Sequence, residues 1–317
     1  MPSVSVIVPA RDAAATLPRT LAALAAQECA GGFEVIVVDD GSRDATAEIA
    51  RGFGPPVTVL EQPALGPAAA RNRGVEQAQS ERLAFCDADV FPAPGWLAAG
   101  ADALGGADLV QGRVIPDPGA PLGPFDRTLW IDSQVGLWET ANLFVTRAAF
   151  ERAGGFAEWI APRRGKALAE DVWFGYRALR RGARPGFCAD ALAHHAVFAR
   201  AWPAYAAERA RLRFFPAMAA RMPELRSTFL HRHVFLNART SELDAALVVF
   251  LLARGRGRAR PLALLAALPY MRSVRRAAVA RARGSRPSAV AAADVAADLI
   301  GLGALLYGSL RYRAAVL

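Results

Sequence analysis

The chain has 317 residues and lacks most features that would declare a metal cluster, a disulfide scaffold or a secretory route. Its three cysteines, Cys29, Cys86 and Cys188, are far apart and odd in number. None forms a C-x-x-C pair, which excludes a zinc ribbon and a disulfide framework and suits a reducing cytoplasm. The opening "MPSVSVIVPARD" has neither a basic n-region nor a long apolar h-region, so no signal peptide is expected. No apolar run reaches the roughly 18 uninterrupted residues of a simple membrane span. A dinucleotide fingerprint is also missing. The nearest match to G-x-G-x-x-G, "GLGALL" at 301–306, lies inside an apolar helical stretch rather than after a strand. The first loop, "PARDAAAT", contains no glycine, which argues against a sugar-phosphate nucleotidylyltransferase.

What is present describes a folded chain with a basic tail. Hydrophobic residues make up 53% and charged residues 21%, which rules out a disordered chain. The net charge of +9 is unevenly placed. Residues 251–317 hold 12 Arg against 2 Asp, whereas residues 1–250 hold 26 Lys and Arg against 27 Asp and Glu. The basicity belongs to the tail.

The first half alternates between buried strands and helices. "SVSVIVPA" (3–10), "FEVIVVDDGS" (33–42), "PVTVLEQP" (56–63) and "ERLAFCDADV" (81–90) read as strands. "TLPRTLAALAAQ" (16–27), with Thr16 at its N-cap, and "GPAAARNRGVEQA" (66–78) read as helices, and Ser42 is placed to cap another with Asp44 in its first turn. This order predicts right-handed βαβ units and an α/β, doubly wound, mostly parallel sheet. Farther on, 139–156 reads as strand, turn and helix. A helix from about Ala169 to Gly182 and a strand over 183–197 follow. From about residue 200 the chain turns to apolar helices separated by Arg clusters. Two domains are expected: 1–215, the α/β domain, and 216–317, a helical region suited to an anionic membrane surface or to packing as a small helical domain with a solvated basic face.

Ligands of such sheets gather at the C-terminal ends of the strands. Three ends carry carboxylates or cations: "PARD", "DDGS" and "CDADV". In the last, Asp87 and Asp89 can hold a hard divalent cation, or form a solvated turn before Pro92. Asp39 or Asp40 can accept from a nucleobase or ribose, or cap a helix. Glu170-Asp171 opens a helix, where a carboxylate can take a proton from a hydroxyl or simply face the dipole. In His194-His195 an imidazole can complete a metal's shell or hydrogen-bond a diphosphate, or the pair can be simply one core and one exposed histidine. Arg71 can pair with phosphate, and Arg163, Arg164 and Lys166 form a basic loop just before Glu170.

"VSVIVPARDAAATLPRTLAAL", "EVIVVDDGSRDAT", "GPAAARNRG", "LAFCDADV", "TANLFVTRAAFERAGGF" and "AEDVWFGYRALRRG" stand in the order found in family 2 inverting glycosyltransferases of the GT-A fold, and residues 3–200 resemble that family. The resemblance implies a nucleotide-sugar donor and Mn²⁺ or Mg²⁺. It implies that Pro9, Ala10, Arg11 and Asp39 or Asp40 hold the nucleoside, and that Arg71 and Asp87 lie by the nucleotide. Asp89 matches the metal ligand, with Asp87 and His195 beside it, and Asp171 matches the catalytic base, with Glu170 next to it. The loop "ARD" departs from the family's usual aromatic-Asn. The absence of Q-x-x-R-W near 205–220 points to transfer of single sugars. The acceptor expected is a hydroxyl, lipid or lipid-linked, at the inner face of the cell membrane. The alternative is a non-catalytic protein that keeps the fold and binds nucleic acid or membrane. Because the tail's Arg clusters alternate with apolar helices rather than with base-stacking aromatics, nucleic acid is not expected as a partner.

Overall fold

The computed structural model describes residues 1–158, 169–254 and 260–317. The predicted basic loop with Arg163, Arg164 and Lys166 lies outside the described residues, as does most of the basic stretch 254–260. Contacts divide the chain into two units, Met1–Ala120 with Thr128–Val197 and Pro121–Arg127 with Phe198–Leu317.

The first unit is built on one eight-stranded sheet. Its strands are β1 (Val4–Ala10), β2 (Phe33–Asp39), β3 (Val57–Glu61), β4 (Arg82–Cys86), β5 (Val90–Pro92), β6 (Leu109–Pro116), β7 (Asn142–Thr146) and β8 (Pro185–His195). Their order is β3-β2-β1-β4-β7-β6-β8-β5. The helices are α1 (Leu17–Ala25), α2 (Thr46–Gly52), α3 (Pro67–Gln77), α4 (Trp96–Ala103), α5 (Arg147–Ala153) and α6 (Glu170–Arg180). The alternating first half pairs in parallel, as its βαβ order requires. β7 then runs antiparallel to both β4 and β6, which turns the sheet into a mixed one.

The sheet is covered on both faces, so its strands read as continuous apolar runs. In β1, Val4, Val6 and Val8 pack beneath Leu17, Leu21 and Leu24 of α1 and Trp96 of α4. Ile7 points the other way, into a cluster with Phe85, Phe150, Phe156 and Phe174. Each of the three α1 leucines is fully buried, worth about 2 kcal/mol apiece by transfer. On that second face α3 lies tight against β1: a Cβ on Gly74 would sit 2.5 Å from Ile7 Cγ2. This is the physical reason for the glycine in "ARNRG".

Two local expectations are corrected. Ser42 does not cap α2, whose N-cap is Ala45; its Oγ accepts instead from Asp12 N at 2.9 Å. Asp44 precedes the helix and accepts from Ala14 N at 3.0 Å and Thr46 N at 3.1 Å. The loops after β1 and β2 are thereby locked together. Thr16 stands at the N-cap of α1, but its hydroxyl donates back to Ala13 O at 3.4 Å.

The second unit is helical: α7 (Trp202–Glu208), a 3₁₀ turn (Arg209–Phe214), α8 (Phe215–Arg221), α9 (Leu225–Thr228), α10 (Ala238–Ala253), α11 (Arg260–Arg281) and α12 (Pro287–Tyr312). Residues 198–215, grouped with the α/β domain on sequence, pack here, with Tyr205 and Ala206 against Ala297 of α12. Asn237 and Thr240 close a reciprocal capping box at the start of α10. α12 is the one described helix long and apolar enough to cross a membrane by length and composition.

Candidate functional site

The C-terminal ends of β1, β2, β4 and β6 and the first residue of β7 lie along one edge of the sheet. Ala10 and Asp39 are in register there, and Asp40 N donates to Ala10 O at 2.8 Å. Pro9 and Ala10 therefore sit directly beside the β2 carboxylates, and Arg11 Nη1 lies 3.8 Å from Asp40 Oδ2.

The two β2 carboxylates have different surroundings, although both are buried. Asp40 holds the next loop: Oδ1 accepts from Gln62 Nε2 and Leu65 N, each at 2.8 Å, and Oδ2 from Gly66 N at 2.9 Å. Asp39 Oδ2 accepts from Ser42 N at 3.2 Å. Its Oδ1 is buried with no hydrogen-bond partner among the described residues. A buried carboxylate oxygen without a donor is costly unless a ligand supplies one.

At the end of β4 the chain turns instead of continuing as one strand. Val90 N donates to Asp87 O at 3.1 Å, and Thr20 Oγ1 donates to Ala88 O at 2.9 Å. β5 then leaves β4 and pairs antiparallel with the end of β8, Val90 opposite His195. Ala196 N donates to Asp89 O at 2.9 Å. This pairing puts His195 Nε2 3.6 Å from Asp89 Oδ2. Nδ1 of His195 lies 2.6 Å from Ala196 O, an atom that can only accept. Nδ1 therefore carries the hydrogen, and in the neutral ring the lone pair is on Nε2, toward Asp89. Neighbouring residues of a strand face opposite ways. His194 accordingly feels Asp117 and Arg19, and burial lowers its pKa. Of the two histidines, His195 is the one brought to the D-x-D turn.

Arg71, on α3, joins this turn to the E-D segment. Its guanidinium is buried and donates to Asp87 Oδ1 at 2.8 Å and to Glu170 Oε1 at 3.2 Å. Burial opposes its charge, but Asp87, Glu170 and Asp171 together outweigh burial and raise its pKa. Asp171, half-buried beside Glu170, accepts from its neighbour's Val172 N at 2.8 Å. Its carboxyl is held well above the usual carboxylate range, first by burial and then by the charges of Glu170 and Glu139.

Glu139 was not singled out from the sequence. It lies three residues before β7, at the same sheet edge, and burial pushes its carboxyl up to about 7. The signal was available: an acid three residues ahead of an apolar strand, in "WETANLFV", mirrors the acid just after one in "CDADV". Trp138, beside it, is buried with φ +55° and fills the space that Gly175 of α6 leaves open, where a Cβ would lie 2.1 Å from the indole. Asn142 is a second missed residue. It takes Trp96 Nε1 at 2.8 Å and donates to Arg113 O at 2.9 Å and Ala191 O at 2.7 Å, which ties β7, β6, β8 and α4 together beneath the site.

Asp89 Oδ2 and the His195 Nε2 lone pair form a donor set that suits Mn²⁺ or Mg²⁺. Among the described residues no three His, Cys, Asp or Glu side chains converge as a closed cage. Sites that complete their shell with substrate phosphate and water have this open form.

The model of glycosyl transferase family 2 matches residues 5–148. Glycosyltransferase AglE of Haloferax volcanii is 32% identical over 210 residues, 62% of this chain and 67% of that protein. A pre-mycofactocin glycosyltransferase of Mycobacterium tuberculosis is 30% identical over 214 residues, 61% of this chain but 42% of its own length. In architecture the chain resembles the mannosyltransferase PcManGT of Pyrobaculum calidifontis, solved with GDP-Man and Mn²⁺, at TM-score 0.64 and 22% identity over 95% of this chain and 87% of that one. S. aureus TarS 1-349 with UDP-GlcNAc aligns at TM-score 0.53 and 18% identity, covering 99% and 93% of the two chains. At these identities the structural likeness is one of fold.

Proposed function

The chain belongs to glycosyltransferase family 2, and on that premise we propose that it moves a single sugar from a nucleotide-diphosphate sugar to an acceptor hydroxyl, with inversion at the anomeric carbon. The observation that carries this reading is Arg71. By holding Asp87 with one nitrogen and Glu170 with another, it joins the D-x-D and E-D segments at one site.

Each group has a role there. Asp39 Oδ1, with Pro9, Ala10 and Arg11 beside it, accepts from a donor's base or ribose. Asp40 supports that cradle by fixing the loop at 62–66. Asp89 and His195 would hold a divalent cation, with Asp87 alongside. When bound, such an ion neutralises the charge on a departing diphosphate. Asp171 takes the proton of the acceptor hydroxyl, and its raised pKa makes it a stronger base than an ordinary aspartate. The hydroxyl oxygen forms a bond to the anomeric carbon on the face opposite the diphosphate, which leaves with its electron pair. Glu170, bound to Arg71, orients rather than accepts the proton.

GDP-Man and UDP-GlcNAc in the solved structures of similar fold support a nucleotide-sugar donor. The lack of Q-x-x-R-W supports single transfers. The basic, apolar C-terminal region supports a lipid or lipid-linked acceptor at the inner face of the membrane. Calorimetric titration with UDP and GDP, each with and without Mn²⁺, tests the reading. Metal-dependent binding of one nucleotide, lost in Asp89→Ala, is expected. Equal affinity in wild type and Asp89→Ala would sink the metal assignment, and no binding of either nucleotide would remove the donor class.

A further inference from the structure

Asp171 stands over one face of the sheet, and that face continues past it. Leu109, the first residue of β6, packs in one cluster with Phe174 and Ala178 of α6. Side chains alternate along a strand, so Arg113 and Ile115 stand on the same face as Leu109. Both are half-exposed, whereas Gly112, Val114 and Pro116 between and beside them are buried. The start of α6 lies toward the C-terminal ends of the strands, because Arg71 ties Glu170 to Asp87 at the end of β4. Asp171 precedes Ala178 by about 10 Å of helix, and Ile115 follows Leu109 by about 20 Å of strand. Ile115 therefore lies about 10 Å past the level of the base. Strand order puts β6, β8 and β5 on the half of the sheet away from the β1 and β2 groups assigned to the nucleoside.

Register extends this face into a row. Val114 bridges Ile131 in antiparallel fashion, which sets Ile115 opposite Trp130. Ile115 is also opposite His194 of β8, and His194 is opposite Phe91 of β5. Trp130, Ile115, His194 and Phe91 thus form a line across four neighbouring segments, about 14 Å long at the usual strand spacing. Trp130, at one end, is 57% exposed although Ile131 next to it is buried. A paired backbone, not a free loop tip, presents its indole. Phe91, at the other end, lies under the Arg19 guanidinium, 4.1 Å from the ring centroid.

An ion pair borders the row on each side. One residue back along β6, Arg113 Nε donates to Asp132 Oδ1 at 3.0 Å, and both side chains are exposed. On the other side Arg19 Nη2 donates to Oδ1 of Asp117, the residue after β6, at 2.8 Å. Each pair cancels its own charge. An apolar strip one residue wide between two polar rims suits a ring with C–H groups on its face and hydroxyls at its edge. Carboxylates accept from such hydroxyls and guanidiniums donate to them. A phosphate headgroup would find no net charge in the two pairs, and a prenyl or acyl chain would lay apolar surface over both of them.

We propose that this row is the acceptor subsite and that the acceptor is a neutral saccharide, with a sugar ring stacked on Trp130 and its hydroxyls bonded to Arg113 and Asp132. This names the acceptor class of the proposed transferase; it rests on that reading for the reaction but not for the binding. A lipid-linked acceptor would be held here by its sugar.

Saturation-transfer NMR on the full chain tests it, with maltose, cellobiose, lactose and mannobiose as saccharide probes and farnesyl phosphate as the lipid probe. Wild type is expected to transfer saturation to the ring protons of at least one disaccharide. Trp130→Ala should weaken that contact about tenfold and leave the thermal midpoint in place, because the side chain is exposed. Trp130→Phe should restore most of it. Arg113→Ala with Asp132→Ala should also weaken it, whereas Trp202→Ala, at an exposed tryptophan of the helical unit, should not. The proposal is overturned if no disaccharide receives saturation, if Trp130→Ala binds like wild type, or if farnesyl phosphate rather than a saccharide depends on Trp130. Titration of the same samples with UDP and GDP in Mn²⁺ keeps the two readings apart. Saccharide contact without nucleotide binding removes the transferase assignment and leaves the subsite; nucleotide binding without saccharide contact does the opposite.

Discussion

Arg71 reaches Glu170 at 3.2 Å across 99 residues of chain, and its second nitrogen holds Asp87 at 2.8 Å. The guanidinium is almost wholly buried, so its charge and those of its partners are sustained by one another. Arg71→Ala removes the shared cation and leaves a buried glutamate unpaired. The loss expected is about 3 kcal/mol of folding free energy, seen as a fall of roughly 6–12 °C in the thermal midpoint for a unit of this size. Arg71→Lys keeps a charge but loses the fork that spans both carboxylates, so an intermediate loss is expected. A midpoint unchanged in Arg71→Ala would show that the bridge adds nothing to stability.

Asp39 and Asp40 are expected to separate cleanly in mutagenesis. Asp40→Ala strips the acceptor from Gln62, Leu65 and Gly66, and leaving these donors unmet costs about 2 kcal/mol. Asp39→Asn replaces an oxygen that has no donor among the described residues, so stability should hold while nucleotide affinity falls about tenfold or more. Chemical denaturation and nucleotide titration of both variants check this. Reversed effects would exchange the two roles.

Adjacent acids show how far the sequence could be read. The βα order of the first half was legible because each strand is buried on both faces and each helix has its own stripe; Val4, Val6 and Val8 on one side and Ile7 on the other make a run that nothing but a covered strand explains. That the residues of "PARD", "DDGS" and "CDADV" come together at one end of the sheet was legible for the same reason. Which of Asp39 and Asp40 is consumed by the protein was not, since the answer lies in a loop 22 to 26 residues away. The antiparallel insertion of β7 and the departure of β5 to β8 were equally hidden. Strand order depends on long-range packing, and "ERLAFCDADV" carries no mark that its last residue pairs with His195. Glu139 was in plain view, but its meaning depends on the fold, which brings the start of β7 beside the start of α6.

Glu139 gives the pH dependence. Its carboxyl is pushed to about 7 by burial, from about 4.5 in the unfolded chain. Between these values the folded protein binds more protons than the unfolded one, so this group's contribution favours folding at low pH and is lost as pH rises toward 7 and above. Glu139→Gln should therefore stabilise the protein at pH 8, on the order of 2 kcal/mol, and change little near pH 4.5. The same charge helps hold Asp171 above the ordinary aspartate range. With Asp171 in its proposed role as base, transfer requires it ionised, so activity should fall on the acid side through that raised value, and Glu139→Gln should move this limb to lower pH. Urea denaturation at two pH values and a pH–rate profile read the two effects separately. A limb that stays in place would show that Glu139 does not act on the base.

The helical unit has its own centre in Asp294. It is fully buried on α12 and is met by Tyr205 from α7, Arg239 from α10 and Arg281 from α11. Asp294→Ala leaves two arginines facing a void in a unit already rich in positive charge. The expected loss is about 3–5 kcal/mol, confined to this unit because none of the partners belongs to the sheet. Asp294→Asn keeps the size and one acceptor oxygen for Tyr205 but removes the charge, so it should lose nearly as much if the ion pairs dominate and much less if the tyrosine bond does. Hydrogen exchange followed by mass spectrometry distinguishes these outcomes: protection should fall across α10, α11 and α12 and persist in β1, β2 and β4. Loss of protection in the sheet as well would mean that the two units fold as one cooperative body.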